Sequence, residues 1–255
     1  MNITKYNQAA WDAQVHKKNK WTVPVEHSTI ERARSNDLEI YLTPESPVPT
    51  HWLEPIRNAR MLCLASGGGQ QGPILAAAGA DVTVLDQSYQ QLIQDYRVAK
   101  REQLKIDLIQ GNMLELDLIA DHSFDVIINP ASTCFVPDVR LVYQHVARIL
   151  RPQGRFMTGF INPFYHIFDY EKMMQGQFIL RHSLPYSDQE NLSQDELQDL
   201  IHSDEPLVFS HTLGDLLGGQ LQAGLAIIEL FEDNWKGQPL EKFSKIFLAT
   251  LSRKI

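Results

Sequence analysis

The chain has 255 residues, 44% of them hydrophobic and 21% charged, and a formal net charge of −8. This composition suits a globular protein with a sizeable core, and the negative charge argues against a broad nucleic-acid-binding face. The two cysteines, Cys63 and Cys134, have a spacing that fits neither a zinc site nor a disulfide framework, so we expect no metal and a reducing, cytoplasmic location. The sequence shows no apolar run of signal-peptide or membrane-spanning length, which predicts a soluble protein without a membrane partner.

Residues 1–50 differ in composition from the rest of the chain and are predicted to form an N-terminal helical cap. They contain two tryptophans and a lysine cluster, followed by a group of prolines that indicates a loop leading into the main domain. A helix is predicted over residues 28–42, with Ser28 as its N-cap and Glu31 in the capping-box position.

From residue 61 onward, short apolar runs alternate with helical stretches. The predicted strands are 61–65, 82–85, 106–109, 124–128 and 155–161, and the predicted helices are 71–78, 89–101 and 139–150. Strands and helices alternating at this spacing imply right-handed βαβ units, and therefore an α/β, doubly wound, mainly parallel sheet with helices on both faces.

Residues 162–210 interrupt this alternation and are predicted to be a cap insertion within the main domain, which spans 51–255. A helix over 212–223 follows, and then strands over 225–231 and 243–251. Because the loop between these two strands is short, we expect them to pair antiparallel. The total is about seven strands, the last of them antiparallel.

A glycine-rich turn between the first predicted strand and helix is the first motif that indicates a ligand. Gly67, Gly69 and Gly72 fit the generic G-x-G-x-x-G spelling of dinucleotide-binding turns. Glycine permits tight backbone angles and close approach of a ligand, and the following helix start offers free amides. A flexible turn without a ligand would show the same spelling. The residues of this turn that we expect to contact a cofactor are Ala65, Ser66, Gly67, Gly69 and Gln70.

Three polar sites follow later strands. Asp86 ends the second strand, 17 residues after Gly69, where a carboxylate can accept hydrogen bonds from a ribose diol. The alternative role for Asp86 is that of a helix cap. The third strand is followed by Asn112, placed to meet an adenine ring, and the fourth ends at the carboxyl edge where ligands bind in open α/β sheets. The further predicted cofactor contacts are Asp86, Gln87, Asn112, Met113, Asn129 and Pro130.

The order of these motifs resembles that of class I S-adenosylmethionine-dependent methyltransferases. The resemblance extends from about residue 61 to 161 and includes the turn Arg151-Pro152-Gln153-Gly154, similar to a structural turn of that family. It implies S-adenosyl-L-methionine as cofactor, with the methionine moiety near residues 65–69, the ribose on Asp86 and the adenine at Asn112 and Met113.

Two positions depart from the family pattern. The family usually has an acid on the first strand, two residues before the first glycine of the turn, and this chain has Cys63 there. Ala65 replaces that first glycine. The departures leave the contact with the ammonium end of the cofactor open, although the remaining pattern is intact.

The methyl acceptor is not identified by the sequence, and a small molecule is expected. Methyl transfer is an in-line displacement that depends mainly on positioning, so no catalytic residue is predicted. His166, His182, His202 and His211 are possible bases, and aromatic residues of the cap and insertion could line an acceptor pocket. Residues 129–132 resemble in part the Asn-Pro-Pro-aromatic motif of amino-methylating nucleic-acid enzymes, but lack its second proline and its aromatic residue.

Two other functions fit the same glycine turn. An NAD(P)-dependent oxidoreductase would share the spelling, but Asp86 follows Gly72 by 14 residues, fewer than the roughly 20 of that fingerprint. A non-catalytic cofactor-binding protein of the same fold is suggested by Cys63 and Ala65. The oligomeric state is not predicted.

Overall fold

Seven strands form the central sheet of the computed structural model, which describes residues 1–255. The strands are β1 (Arg60–Leu64), β2 (Asp81–Asp86), β3 (Ile106–Gln110), β4 (Phe124–Asn129), β5 (Leu150–Ile161), β8 (Leu225–Asp233) and β9 (Phe247–Lys254), in the order β3-β2-β1-β4-β5-β9-β8. The strands from β1 to β5 are parallel, whereas β9 lies antiparallel between β5 and β8. The predicted α/β fold is confirmed, including its antiparallel last strand.

Helices cover both faces of the sheet, and β1 shows why. Its alternate residues belong to different cores: Met61 and Cys63 pack with helices α4 (Gln71–Ala77) and α5 (Tyr89–Glu102), while Leu62 and Leu64 pack with helix α6 (Val139–Ile149). A strand buried on both faces has a continuous apolar sequence, as residues 61–64 do. The remaining helices are α1 (Ile3–His16), α2 (His27–Arg34), α3 (Thr50–Leu53), α7 (Tyr170–Met174), α8 (Asp188–Asn191), α9 (Gln194–His202) and α10 (Gly219–Gln222).

Four predicted elements differ from the structure. The fifth strand begins at Leu150 rather than 155, so the predicted turn 151–154 lies within it, opposite a register shift in β4. The helix predicted over 28–42 ends at Arg34, because Asn36 adopts a left-handed conformation and the chain then runs extended to bury Ile40 and Leu42. Its N-cap is Glu26 rather than Ser28. The helix predicted over 212–223 is a π-helical turn at Gly214–Gly218 followed by α10. The last strand begins at Phe247 rather than 243, after a 3₁₀ turn at Pro239–Lys242.

The N-terminal helix is attached to the far end of the insertion. The side chain of Asn7, which is fully buried, exchanges hydrogen bonds of 2.9 Å with both backbone groups of Leu207. Tyr6 donates to the carbonyl of Glu205 and Gln14 to that of Asp204. The insertion itself contains a short antiparallel pair, β6 (Tyr186–Ser187) and β7 (Phe209–Ser210), where no clear strand was predicted. No helix in the chain is long and apolar enough to cross a membrane.

Candidate functional site

A cavity of about 870 Å³ opens at the carboxyl edge of the parallel strands. The glycine turn after β1, the end of β2 and the segment after β3 form its walls, together with the loop after β4 and parts of the cap and insertion. Nine of the eleven residues predicted to contact a cofactor line this cavity: Ala65, Ser66, Gly67, Gln70, Asp86, Gln87, Asn112, Met113 and Pro130. The predicted residues are thus brought together at one site from four separate segments.

The glycine turn fits tightly against the start of α5. A Cβ atom at Gly67 would lie 2.7 Å from Cβ of Gln91 and 3.1 Å from Oδ2 of Asp86, closer than side chains pack. Gly68 has a φ of +113°, which residues with a side chain rarely adopt. The cap covers this turn, since the amide of Val25 donates to the carbonyl of Gly69. The turn is therefore a fixed, close-packed cradle rather than a flexible loop.

Asp86 holds the turn and still faces the cavity. Its Oδ2 accepts from the amide of Gly67 and its Oδ1 from the amide of Ser88, both at 2.9 Å. Each carboxylate oxygen has a second lone pair, so the group can also accept from a ligand. Burial raises the pKa of Asp86 to about 6, an increase that the two amides oppose and nearby Asp12 adds to. The role as anchor of the turn was not foreseen from the sequence.

Two amide side chains offer free hydrogen-bonding groups in the cavity wall. Asn112 accepts from the amide of Leu114 through Oδ1, which leaves its Nδ2 donor for a ligand. Gln91, which the sequence did not single out, has a buried Oε1 without a partner. A buried acceptor without a partner is costly, so this oxygen suits a ligand donor. The cradle, Asp86 and these amides fit an adenosine-containing cofactor.

The other two predicted contacts, Asn129 and Gly69, lie behind the cavity wall. Asn129 is fully buried, and its Nδ2 donates to the carbonyl of Leu64 and to Oγ of Ser132, while its Oδ1 accepts from Thr158. Both hydrogens of its Nδ2 are thus used within the protein, and its Oδ1 is also bonded, so Asn129 connects the ends of β1, β4 and β5.

The half of the cavity beyond β4, β5 and β9 is mainly aromatic and aliphatic. Ile161 ends β5, Phe247 begins the antiparallel β9, and Trp235 follows β8, so all three lie at the same edge of the sheet. The ring of Trp235 lies 5.8 Å from that of Tyr165 and 5.3 Å from that of Phe247. The linker before α3 closes this side through Tyr41, Leu42, Thr43 and Pro44. The sequence did not indicate these contacts, because they depend on where a loop crosses the sheet.

None of the four histidines considered as bases lines the cavity. His166 is buried against Tyr165 and Tyr186, and burial lowers its pKa to about 4. His211 makes a hydrogen bond through Nε2 with the carbonyl of Thr133. His166 is thus a packing residue of the insertion, and His211, just after it, is bonded to the loop after β4.

Comparison with known proteins agrees with this geometry. A family model described as a methyltransferase domain matches residues 62–158. An uncharacterized methyltransferase of Bacillus subtilis, YbaJ, is 43% identical over 253 residues, 99% of each chain. Among solved structures, 1,6-didemethyltoxoflavin-N1-methyltransferase of Burkholderia thailandensis has bound S-adenosylhomocysteine and superposes with a TM-score of 0.58 at 15% identity, over 98% of this chain and 88% of that one. Geranyl diphosphate C-methyltransferase of Streptomyces coelicolor superposes with a TM-score of 0.61 at 12% identity, over 100% of this chain and 99% of that one.

The chain therefore belongs to the class I S-adenosylmethionine-dependent methyltransferases. It is an enzyme that uses S-adenosylmethionine to methylate an acceptor that is not identified. These comparisons do not favour the oxidoreductase and the non-catalytic protein considered above.

Proposed function

We propose that the enzyme methylates a small, flat, largely apolar acceptor, and that the cavity holds cofactor and acceptor side by side. The cofactor occupies the half beyond β1, β2 and β3, where the cradle, Asp86 and Asn112 lie. The acceptor occupies the half beyond β4, β5 and β9. When bound, S-adenosylmethionine supplies an electrophilic methyl group on a sulfonium centre. The single observation that carries the proposal is the continuity of the two halves in one cavity of about 870 Å³.

The protein contributes binding and orientation. The carboxylate of Asp86 accepts from the ribose hydroxyls, Nδ2 of Asn112 donates to a ring nitrogen of the adenine, and Met113 packs against that ring. Ala65, Ser66, Gly67 and Gln70 enclose the methionine moiety, with Gln87 and Pro130 completing the wall. Holding two reactants in line and away from water supplies a large part of the rate of such a displacement.

The aromatic wall supports a flat acceptor. Trp235 is fixed by Tyr165 and Phe247 and so presents a rigid ring to the cavity. Rigid aromatic surfaces stack planar ligands at little conformational cost. The cap and the insertion, 1–50 and 162–210, add to the wall of the cavity, since Trp11 of α1 and Pro206 both line it. The two solved structures named above are methyltransferases with small-molecule acceptors, which supports a small acceptor but not its flat, apolar character. A cytoplasmic location is part of it, on the basis of the two buried free cysteines.

The test combines cofactor binding with turnover. Calorimetric titration with S-adenosylhomocysteine should give a dissociation constant in the micromolar range. A coupled assay for S-adenosylhomocysteine release should detect turnover with phenols or nitrogen heteroaromatics rather than with charged aliphatic amines. Trp235→Ala should raise KM for such an acceptor about tenfold and leave cofactor affinity unchanged, because only a stacking surface is lost.

Phe243→Ala is the matched control, because this aromatic residue lies in the same connection but is 70% exposed and packs against Phe178. It should change neither KM nor cofactor affinity. Turnover confined to charged aliphatic acceptors would contradict the proposed acceptor class.

The raised pKa of Asp86 predicts how cofactor affinity depends on pH. Ribose hydroxyls need the ionised carboxylate as acceptor, so affinity for S-adenosylhomocysteine should fall roughly tenfold between pH 7 and pH 5. The stability of the free protein should change in the opposite direction. A carboxyl whose pKa is raised from 3.8 stabilises the fold fully below that value, and this contribution is lost as the pH rises through 6. Asp86→Asn should abolish the pH dependence of binding, and a profile that is the same in both proteins would contradict the assignment.

A further inference from the structure

The glycine turn is hydrogen-bonded to a buried carboxyl, that of Asp95, which comes from α5 rather than from β1. Position 63 on β1, where the family usually has an acid, holds a fully buried cysteine whose pKa is raised by burial and by the nearby Asp95. Asp95 belongs to α5, not to β1, and is itself fully buried. The side chains of Cys63 and Asp95 therefore lie close together in the protein interior beneath the turn.

Asp95 contacts the turn from the side opposite the cavity. Its Oδ2 accepts from the amide of Gly68 at 2.9 Å, and the amide of Gly69 also favours its charged form. Its Oδ1 has no hydrogen-bond partner, and a Cβ at Gly72 would lie 3.4 Å from it. Asp95 does not line the cavity. It can affect a ligand only through the backbone of the turn.

We infer that Asp95 is a positioning residue that replaces the missing strand acid, so that α5 rather than β1 supplies the carboxyl that orders the cofactor turn. Position 63 and Asp95 lie close to each other, since the charge of Asp95 raises the pKa of Cys63, so a carboxyl at either position would lie beneath the same turn. Two carboxyls together would bury like charges side by side, which is costly. The inference thus explains why an acid on α5 accompanies a cysteine on β1.

The protonation state of Asp95 agrees with this role. Burial raises its pKa to about 8, against the effect of the Gly69 and Gly68 amides, and Asp86 adds to the increase. At neutral pH the carboxyl is therefore mostly uncharged and serves as a hydrogen-bond acceptor. Asparagine has the same shape and retains an acceptor oxygen, so it should be able to replace Asp95.

A double-mutant cycle tests the inference. Asp95→Ala leaves the Gly68 amide with only its longer, 3.1 Å bond to the carbonyl of Gln91. The turn is then held less firmly, so the dissociation constant for S-adenosylhomocysteine should rise roughly tenfold. Cys63→Asp alone should also weaken binding, because it places a second acid beside Asp95. The double variant Cys63→Asp/Asp95→Ala should bind within about threefold of the parent protein, since one acid is again present beneath the turn. Asp95→Asn should retain affinity at pH 7.

Thermal unfolding of each variant separates loss of the turn from loss of the fold. Asp188→Asn is the matched control, a buried acid of the insertion that accepts from Tyr186 and from the amide of Val208 and makes no hydrogen bond with the turn. It should lower the melting temperature without changing cofactor affinity. Equally weak binding by Asp95→Ala and by the double variant would overturn the inference, as would unchanged affinity in Asp95→Ala.

The role of Asp95 rests on the proposed cofactor site, and the binding measurements distinguish failure of the site from failure of this role. If the parent protein does not bind S-adenosylhomocysteine, the site proposal fails. If the parent protein binds it and the cycle is additive, the site stands and Asp95 has no special role.

Discussion

Asp86→Ala should weaken binding of S-adenosylhomocysteine by about a hundredfold or more. Two hydrogen bonds from the ribose to a charged acceptor are worth about 1.5–3 kcal/mol each, and every 1.4 kcal/mol is a factor of ten. The variant also removes the acceptor of the Gly67 amide, so the turn loses part of its support. Asp86→Asn keeps one acceptor oxygen and should lose only about tenfold. Isothermal titration at pH 7.5 with the purified full chain measures both constants.

A control for this effect lies on the same strand. Asp81 begins β2 at the opposite edge of the sheet and is exposed, so Asp81→Ala should leave the dissociation constant unchanged. If Asp86→Ala binds S-adenosylhomocysteine as tightly as the parent protein, the carboxylate of Asp86 does not contact the cofactor. The same loss in Asp81→Ala would point to a general effect on β2.

Gly159→Ala should lower the free energy of unfolding more than alanine at any other glycine, because the added Cβ would meet its nearest neighbour at the shortest distance. Gly159 lies in β5, and the linker that lines the cavity passes directly over it. A Cβ here would overlap the carbonyl oxygen of Leu42 and lie 2.7 Å from its carbonyl carbon. Backbone atoms cannot rotate away as a side chain does, so we expect a loss of about 3 kcal/mol of unfolding free energy. For a chain of this length, that corresponds to a drop in melting temperature of roughly 6–12 °C.

Displacement of the linker should also affect the site. The carbonyl of Leu42 accepts from the amide of Ala131, and Tyr41 and Thr43 line the cavity on either side of it. Gly159→Ala should therefore raise KM for the acceptor in whatever fraction remains folded. Gly218→Ala is the control, because nothing lies within 4 Å of a Cβ there and its φ is helical. A melting temperature for Gly159→Ala equal to that of Gly218→Ala would show that the linker does not rest on β5.

The sheet and most of the cofactor half follow from local sequence patterns. Apolar runs, helix periodicity and the positions of Gly67 and Asp86 are short-range features, so the mainly parallel sheet and the site edge could be predicted from them. What was missed depends on contacts between distant segments. The helix over 28–42 was predicted from its capping-box pattern, but burying Ile40 and Leu42 on the sheet stabilises an extended chain instead.

Two site residues show the same dependence on distant segments. Asn129 stands at the carboxyl end of a strand, where ligand contacts are common, and its sequence position does not reveal that it is hydrogen-bonded to Leu64, Ser132 and Thr158 behind the cavity wall. In the sequence, Asp95 has the position of an ordinary polar residue on the exposed face of a helix. Only the packing of α5 against the turn shows that it is fully buried.

The attachment of α1 to residues 204–207 has a consequence for the order in which the molecule is completed. Asn7 and its partner Leu207 are separated by 200 positions. During synthesis the chain emerges from its N-terminus, so α1 leaves the ribosome long before the residues that hold it in place. Strands β1 to β5 can already pair at that stage, because their last residue is Ile161. The partly synthesised enzyme thus exposes its cofactor cradle to solvent, and the pocket closes over it only when the first helix and the end of the insertion meet.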